Sequence, residues 1–271
     1  MTKHAMVLML GAGFLVGVFV WFWFPGAHNG KTNMSGKQKD TSVATLVEYT
    51  VTKRPAPPPS GAAWDGEYWR DVPVLRVDQF RPEGSDHRPV VEAKLAHSSD
   101  AMHVFFRVQD RYVRAVAEKL NDMVCRDSCV ELFLQPPGRG EYINFEVNCG
   151  GTMLASFVED PTRPDMHSPM AKSTSLTPRQ AARVNIEASL PKIVEPEITE
   201  PTEWTVRYSI PVALFEEFFG PLGDLSGRTW RANLYKCGDQ TSHPHWASFS
   251  PVSGALNFHQ PACFAPLHFE K

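Results

Sequence analysis

An excess of charge of either sign is missing from this 271-residue chain: 27 Lys and Arg stand against 30 Asp and Glu, a formal net charge of −3. Without a basic field to hold phosphates, nucleic-acid binding is not expected. Cysteine is scarce. Cys125, Cys129, Cys149, Cys237 and Cys263 are too few for a disulfide scaffold, and an odd number leaves at least one without an intrachain disulfide partner. Cys149 and Cys237 both follow predicted strands and make one candidate bridge, which Cα spacing would decide. Internal repeats are absent, as are GxSxG, Walker, HExxH and dinucleotide-binding motifs, so nothing demands an enzyme. What is present is 42% hydrophobic residues against 21% charged, enough for a packed core. The 23 Pro and 18 Gly are scattered without period, which excludes collagen and suits short strands joined by many turns.

Charge is also wholly absent from Ala5 to Pro25, AMVLMLGAGFLVGVFVWFWFP. As a helix this run would extend about 31 Å, the thickness of a bilayer's hydrocarbon core. Trp21, Phe22, Trp23 and Phe24 crowd one end, where aromatic rings suit the membrane interface. The exit Phe-Pro-Gly-Ala-His-Asn lacks an A-x-A cleavage pattern, and no lipobox cysteine follows, so an uncleaved anchor is expected over a cleaved signal. Flanking charge runs against the positive-inside rule for a domain placed outside: Lys3 precedes the run, while Lys31, Lys37 and Lys39 follow. Residues 1–27 are read as a transmembrane anchor or signal segment and 28–44 as a flexible tether. Residues 45–271 are read as one domain.

Short runs rich in Val, Ile, Phe, Tyr and Trp, bounded by Pro, Gly, Asp or Asn, recur through that domain. They are an alternating stretch at 46–51, then Pro73–Phe80, Arg88–Ala96, Met102–Val108, Cys129–Gln135, Glu141–Asn148, Thr152–Val158, Val184–Leu190, Trp204–Ile210, Thr229–Cys237 and Phe264–Phe269. Val212–Phe219, between Pro211 and Gly220, reads as a single short helix. Glu159–Ala182 reads as the longest irregular loop. The count and length of the strands predict an all-β fold, an antiparallel β-sandwich with one short helix, preceded by the N-terminal hydrophobic helix.

Several side chains are candidates for chemistry. In Glu141–Asn148, period-two alternation sends Ile143, Phe145 and Val147 one way and Tyr142, Asn144, Glu146 and Asn148 the other. The second row offers the amides, carboxylate and ring that a neutral polyol needs, but equally describes an ordinary solvated face. Glu131 lies beside Cys129 and Phe133; it is placed to orient a ligand hydroxyl, pair with Arg107 or Lys236, or bind calcium. Glu131 and Glu146 together are a candidate acid/base pair. Trp246, in the loop HPHWASFSP, is a candidate stacking platform, whereas Trp64, Trp69, Trp204 and Trp230 suit the core. Cys237, Asp239, His243, His245 and His259 are of metal-binding type, but their spacing matches no zinc pattern.

AWDGEYWRDVP, FRVQDRYVRA, DSCVELFLQP, YINFEVNCGGTML, WTVRYSIP, WRANLYKCGDQTSHPHWASFSP and NFHQPACFAPLHF, taken in order, resemble the family 9-like carbohydrate-binding modules over most of 45–271. The resemblance implies a DOMON-like, jelly-roll type sandwich. It also implies a noncatalytic module on the extracytoplasmic side of a cell membrane, supporting carbohydrate catabolism, with a glycoside hydrolase as partner and structural calcium. It implies that Trp246 is one of two rings holding a saccharide. Glu131 would then bind hydroxyls, with Asn144, Glu146, Asn148, Arg107 and Lys236 as further polar contacts. The second ring of the family falls at Cys125, which cannot stack, so either another aromatic such as Tyr142 or Tyr235 replaces it or sugar binding is weak or absent. Rival readings are a glycoside-processing enzyme using Glu131 and Glu146, a DOMON-like haem or redox protein, and a structural envelope protein.

Overall fold

Alternate residues of Cys129–Gln135 and Tyr142–Asn148 are apolar, and in the computed structural model both runs are strands that bury those residues completely. The structure describes residues 47–164 and 168–271; the predicted anchor and tether at 1–44 lie outside them. No helix of the described residues is long and apolar enough to cross a membrane.

In chain order the strands are β1 (Tyr49–Lys53), β2 (Leu75–Arg76), β3 (Gln79–Phe80), β4 (Val90–His97), β5 (Ala101–Asp110), β6 (Val113–Ala115), β7 (Cys129–Gln135) and β8 (Tyr142–Asn148). There follow β9 (Met153–Asp160), β10 (Lys172–Ser175), β11 (Asn185–Ala188), β12 (Val194–Ile198), β13 (Thr202–Pro211), β14 (Thr229–Cys237), β15 (Trp246–Ser248) and β16 (Ala265–Phe269). A one-turn helix α1 (Pro178–Ala181) accompanies the predicted helix α2 (Val212–Phe219).

One hydrogen-bonded path runs β10-β9-β8-β7-β14-β16-β1-β4-β5-β13-β11. A wholly antiparallel arrangement is predicted from the sequence; β1 departs from it, lying parallel to both β16 and β4. The long connection 54–89 makes this direction accessible, since parallel neighbours cannot be joined by a tight turn. The N-terminal half of β1 bonds β16 and its last two residues bond β4, so one strand joins the two halves of a curled mixed sheet. Val130, Leu132, Leu134, Ile143, Phe145 and Val147 from one half share a core with Val104, Phe106, Val108, Val206, Tyr208 and Ile210 from the other. Phe215 of α2 enters that core, its ring 6.2 Å from Phe145 and 5.4 Å from Trp230. Gly220 ends α2 at φ +75°, where a side chain would be strained.

Trp204 and Trp230 are fully buried in the core, as the sequence predicts, while Trp64 and Trp69 form a satellite cluster with Phe105. Pro73–Phe80 is two short strands, not one, and Glu159–Ala182 contains β10 and α1.

The turn between β8 and β9 is tightly enclosed. A Cβ at Gly150 would stand 2.3 Å from the Lys192 carbonyl oxygen, whereas one at Gly140 would meet nothing within 4 Å. Gly150→Ala is therefore expected to destabilise the domain by about 1–3 kcal/mol, and Gly140→Ala to fall well short of that. Urea midpoints of the two variants check this; equal midpoints would refute it.

Candidate functional site

The second face of β7, β8 and β14 is where the structure gathers polar chemistry. Cys129, Glu131 and Phe133 of β7, Tyr142, Asn144 and Glu146 of β8, and Tyr235 and Cys237 of β14 point there, away from the main core. A solvated row is one expectation from the sequence, but this face is covered: Glu131 is 3% exposed, Glu146 6% and Asn144 1%. The cover is a second apolar cluster that includes Val124, Val252, Phe258 and Phe264. Two tyrosines fasten it. Tyr235 donates to the Phe258 carbonyl at 2.9 Å and stacks on its ring at 4.1 Å, and Tyr142 hydroxyl lies 2.6 Å from His259 Nδ1. Both proposed substitutes for the second ring are thereby built into the covered floor.

Glu131 and Glu146 face one another across β7 and β8. Burial, and then the Glu146 carboxylate, hold Glu131 well above the usual carboxylate range. Burial pushes Glu146 up to about 7, despite a 2.7 Å hydrogen bond from Asn144 Nδ2 to its Oε1. Asn144 Oδ1 accepts from the Ser156 amide at 3.1 Å, so its amide is oriented from both ends. The Cys237 thiol donates to Glu131 Oε1 at 2.9 Å.

Trp246 is not in a loop. It begins β15, opposite Cys237, and remains half-buried at the rim of the second cluster. Its Nε1 donates to Asp239 Oδ1 at 2.7 Å, and the Asp239 amide donates to the Cys125 carbonyl at 3.0 Å. The ring is thus fixed to the turn that carries Cys125, the position where the family's other ring is expected. Arg163, whose Nη2 reaches Asn257 Oδ1 at 2.5 Å, completes a half-buried rim with Asp239 and Asn257.

Two predicted contacts are elsewhere, and a third is held by structural hydrogen bonds. Arg107 belongs to β5, pairs with Glu92 at 2.7 Å and lies over the Trp64 ring at 4.6 Å. Lys236 alternates to the opposite side of β14, into the core, where it is fully buried. It therefore does not pair with Glu131; it donates to His245 Nε2 at 2.7 Å and stands 3.5 Å from Asp110 Oδ2. Asn148 shares the face of Glu146 but is spent on structure, accepting from the Thr152 amide at 2.8 Å and donating to Asp127 Oδ2 at 2.9 Å.

The five metal-type residues near the C-terminal end are also dispersed. Cys237 serves Glu131, Asp239 holds Trp246, His243 stacks on Tyr112 at 3.6 Å, His245 meets Lys236, and His259 meets Tyr142. None of the five cysteines is in a disulfide. The suggested Cys149–Cys237 bridge is ruled out by orientation: Cys149 faces the main core and Cys237 the second cluster.

Among the described residues, two groups gather three such ligands: His87, Asp110 and His245, and Cys129, Glu131 and Cys237. Calcium takes six to eight oxygens, so imidazole nitrogen and thiol sulfur do not fit it, and neither group suits the calcium that the resemblance implies. The sequence does not mark Asp239, Arg163 and Asn257 as contacts, because each arrives from a different loop. Cys129 carried a signal, since alternation already placed it beside Glu131.

Residues 68–269 match the sequence profile described as Carbohydrate-binding family 9. A crystal structure of a candidate carbohydrate-binding protein from Bacteroides uniformis is 28% identical, with TM-score 0.70, covering 83% of this chain and all of that one. A family 9 module from Caldicellulosiruptor kristjanssonii has been solved with glucose (TM-score 0.55, 13% identity, 82% of this chain and 95% of that one). Its complex with cellotriose aligns at TM-score 0.53 and 13% identity, covering 82% and 93%. At that identity these two complexes speak to the fold alone. No curated protein sequence matches significantly. With the profile spanning three quarters of its length, the chain belongs to carbohydrate-binding family 9.

Proposed function

We propose that residues 45–271 are a noncatalytic module that holds a saccharide at the Trp246 rim. The observation that carries this reading is a half-exposed indole, fixed by Asp239, beside a floor of carboxyl and amide groups already oriented by Asn144 and Glu146. A pyranose offers one apolar face and many hydroxyls, which is the chemistry that such a ring and polar floor complement. Asp239, Arg163 and Asn257 sit at the rim to meet hydroxyls, with Glu131 and Glu146 beneath; Arg107, Lys236 and Asn148 are left out of the site. The curled sheet serves as the DOMON-like sandwich frame. The uncharged run 5–25 would anchor this module to a membrane, with the domain extracytoplasmic and able to bring polysaccharide to a glycoside hydrolase.

Titration calorimetry of the full-length protein against glucose, cello-oligosaccharides and a wider glycan panel tests the reading. Trp246→Ala is expected to weaken binding by about tenfold or more, corresponding to loss of about 1–2 kcal/mol of ring contact. No binding by folded wild-type protein at millimolar ligand, or equal binding by Trp246→Ala, would overturn it.

A further inference from the structure

Cys129 and Cys237 stand directly opposite one another on β7 and β14. Glu131, two residues along β7, shares their face. Cys129 Sγ, a Glu131 carboxylate oxygen and Cys237 Sγ all lie within 4.8 Å of one another, and all three residues are buried. We infer that Cys129, Glu131 and Cys237 form a binding site for a zinc ion.

Tetrahedral zinc with Zn–S of about 2.3 Å and Zn–O of about 2.0–2.2 Å holds its ligand atoms roughly 3.5–3.8 Å apart. Small side-chain rotations bridge the difference; the strands need not move. Both strands are interior to the sheet, β7 between β8 and β14 and β14 between β7 and β16, so the donors are held on a fixed frame. Two thiolates select zinc over calcium or magnesium. The other three-ligand group is unsuitable because the Lys236 ammonium already supplies its cation, against both His245 and Asp110.

Binding involves no redox change. The metal takes the place of the two thiol protons and of any proton on Glu131, all of which leave to solvent, and Glu131 binds as carboxylate. Three protein ligands leave the fourth position to water. The site does not depend on saccharide binding.

Full-length protein, purified with a thiol reductant and stripped by a chelator, is titrated with cobalt(II) and then zinc. The expected result is one cobalt per chain, bound with release of protons and an intense near-ultraviolet thiolate-to-cobalt band, and then displaced by one equivalent of zinc. Cys129→Ser and Cys237→Ser should abolish the band and weaken zinc binding by about a hundredfold or more, since even outer-shell partners are worth about 10–100-fold. Cys149→Ser, whose thiol faces the main core and bonds the Arg114 carbonyl, should keep both. Should the serine variants fail to fold, Glu131→Gln is near-isosteric and is expected to retain the band with weaker zinc affinity. No band in the wild-type protein, or an undiminished band in folded Cys129→Ser and Cys237→Ser, overturns the assignment. So does a Cys129–Cys237 disulfide in protein isolated from its own cells without reductant.

Discussion

Asp110→Ala should lower the stability of the domain by about 3–5 kcal/mol, the cost of leaving a buried charge without its partner. Asp110 ends β5 inside the fold, and four donors converge on it. His87 Nε2 lies 2.7 Å from Oδ1, the Arg111 amide donates to Oδ1 at 2.8 Å, Trp204 Nε1 donates to Oδ2 at 3.2 Å, and Lys236 Nζ stands 3.5 Å from Oδ2. Burial alone would raise its pKa, yet Lys236 and His87 outweigh burial and hold the carboxyl well below its usual range. Removing it strands Lys236, whose remaining partners are His245 and the Cys237 carbonyl. Asp110→Asn keeps two acceptor lone pairs and should cost less. Pairing it with Lys236→Met should recover at least about 1 kcal/mol relative to the summed single variants, because neither charge then stays behind. Urea unfolding of the four proteins measures the coupling. A loss below about 1 kcal/mol in Asp110→Ala would mean that water or rearrangement compensates the lysine.

This ion cluster shows where sequence reasoning stops. The bounds of β7, β14 and α2 are legible because apolar period and flanking Pro or Gly are local signals, and all three match residue for residue. The period also assigns Ile143, Phe145 and Val147 to the core without error. Lys236 obeys the same period, which places it after Trp230, Ala232 and Leu234 on the core side of β14. What hid it is that a charged residue is assumed to face outward unless its partner is visible, and Asp110 is more than a hundred residues away. Cys237 meets Cys129 through a pairing equally remote in sequence. Alternation puts Asn144 and Glu146 on one face of β8 and Glu131 on the Cys129 face of β7, but neither the meeting of these faces nor the lid over them, drawn from 117–126 and 252–264, has a periodic signature. Hence the row reads as open in the sequence and proves covered in the fold. Residue type singles out Trp246, while its strand, three residues long, is below the length at which alternation is detectable.

In reduced, metal-free protein, stability should stay nearly level from pH 7 to pH 5 and then collapse between pH 4.5 and pH 3. Burial keeps four histidines neutral: it lowers His97, brings His103 down to about 4, and brings His245 and His259 down to about 3. Their hydrogen bonds agree: His245 accepts from Lys236 at Nε2 and donates from Nδ1 to the His243 carbonyl, and Tyr142 caps His259. Unfolded histidine takes up protons below its ordinary 6.5, so their contribution is complete above pH 6.5 and drains as the pH falls, about 1.4 kcal/mol per pH unit for each group. Glu131 and Glu146 act in the opposite sense. Both are raised, Glu146 to about 7, so the fold binds their protons more tightly than the unfolded chain. Their burial therefore destabilises at neutral pH, and the penalty is relieved as the pH falls towards 4.5. Below that point the relief is complete, while His245 and His259 go on losing stability and Asp110, whose contribution is present above 3.8, begins to be protonated in the unfolded chain but not in the fold. Three groups of one sign give a slope of about 4 kcal/mol per pH unit. Glu146→Gln separates the two sets: it should be more stable than wild type at pH 8 and lose about 2 kcal/mol between pH 7 and pH 5, where wild type is level. Urea unfolding across pH 3–8 reads both profiles. A wild-type curve already falling steeply from pH 7, or identical curves for the two proteins, would show that the carboxyl pair does not hold its proton inside the fold.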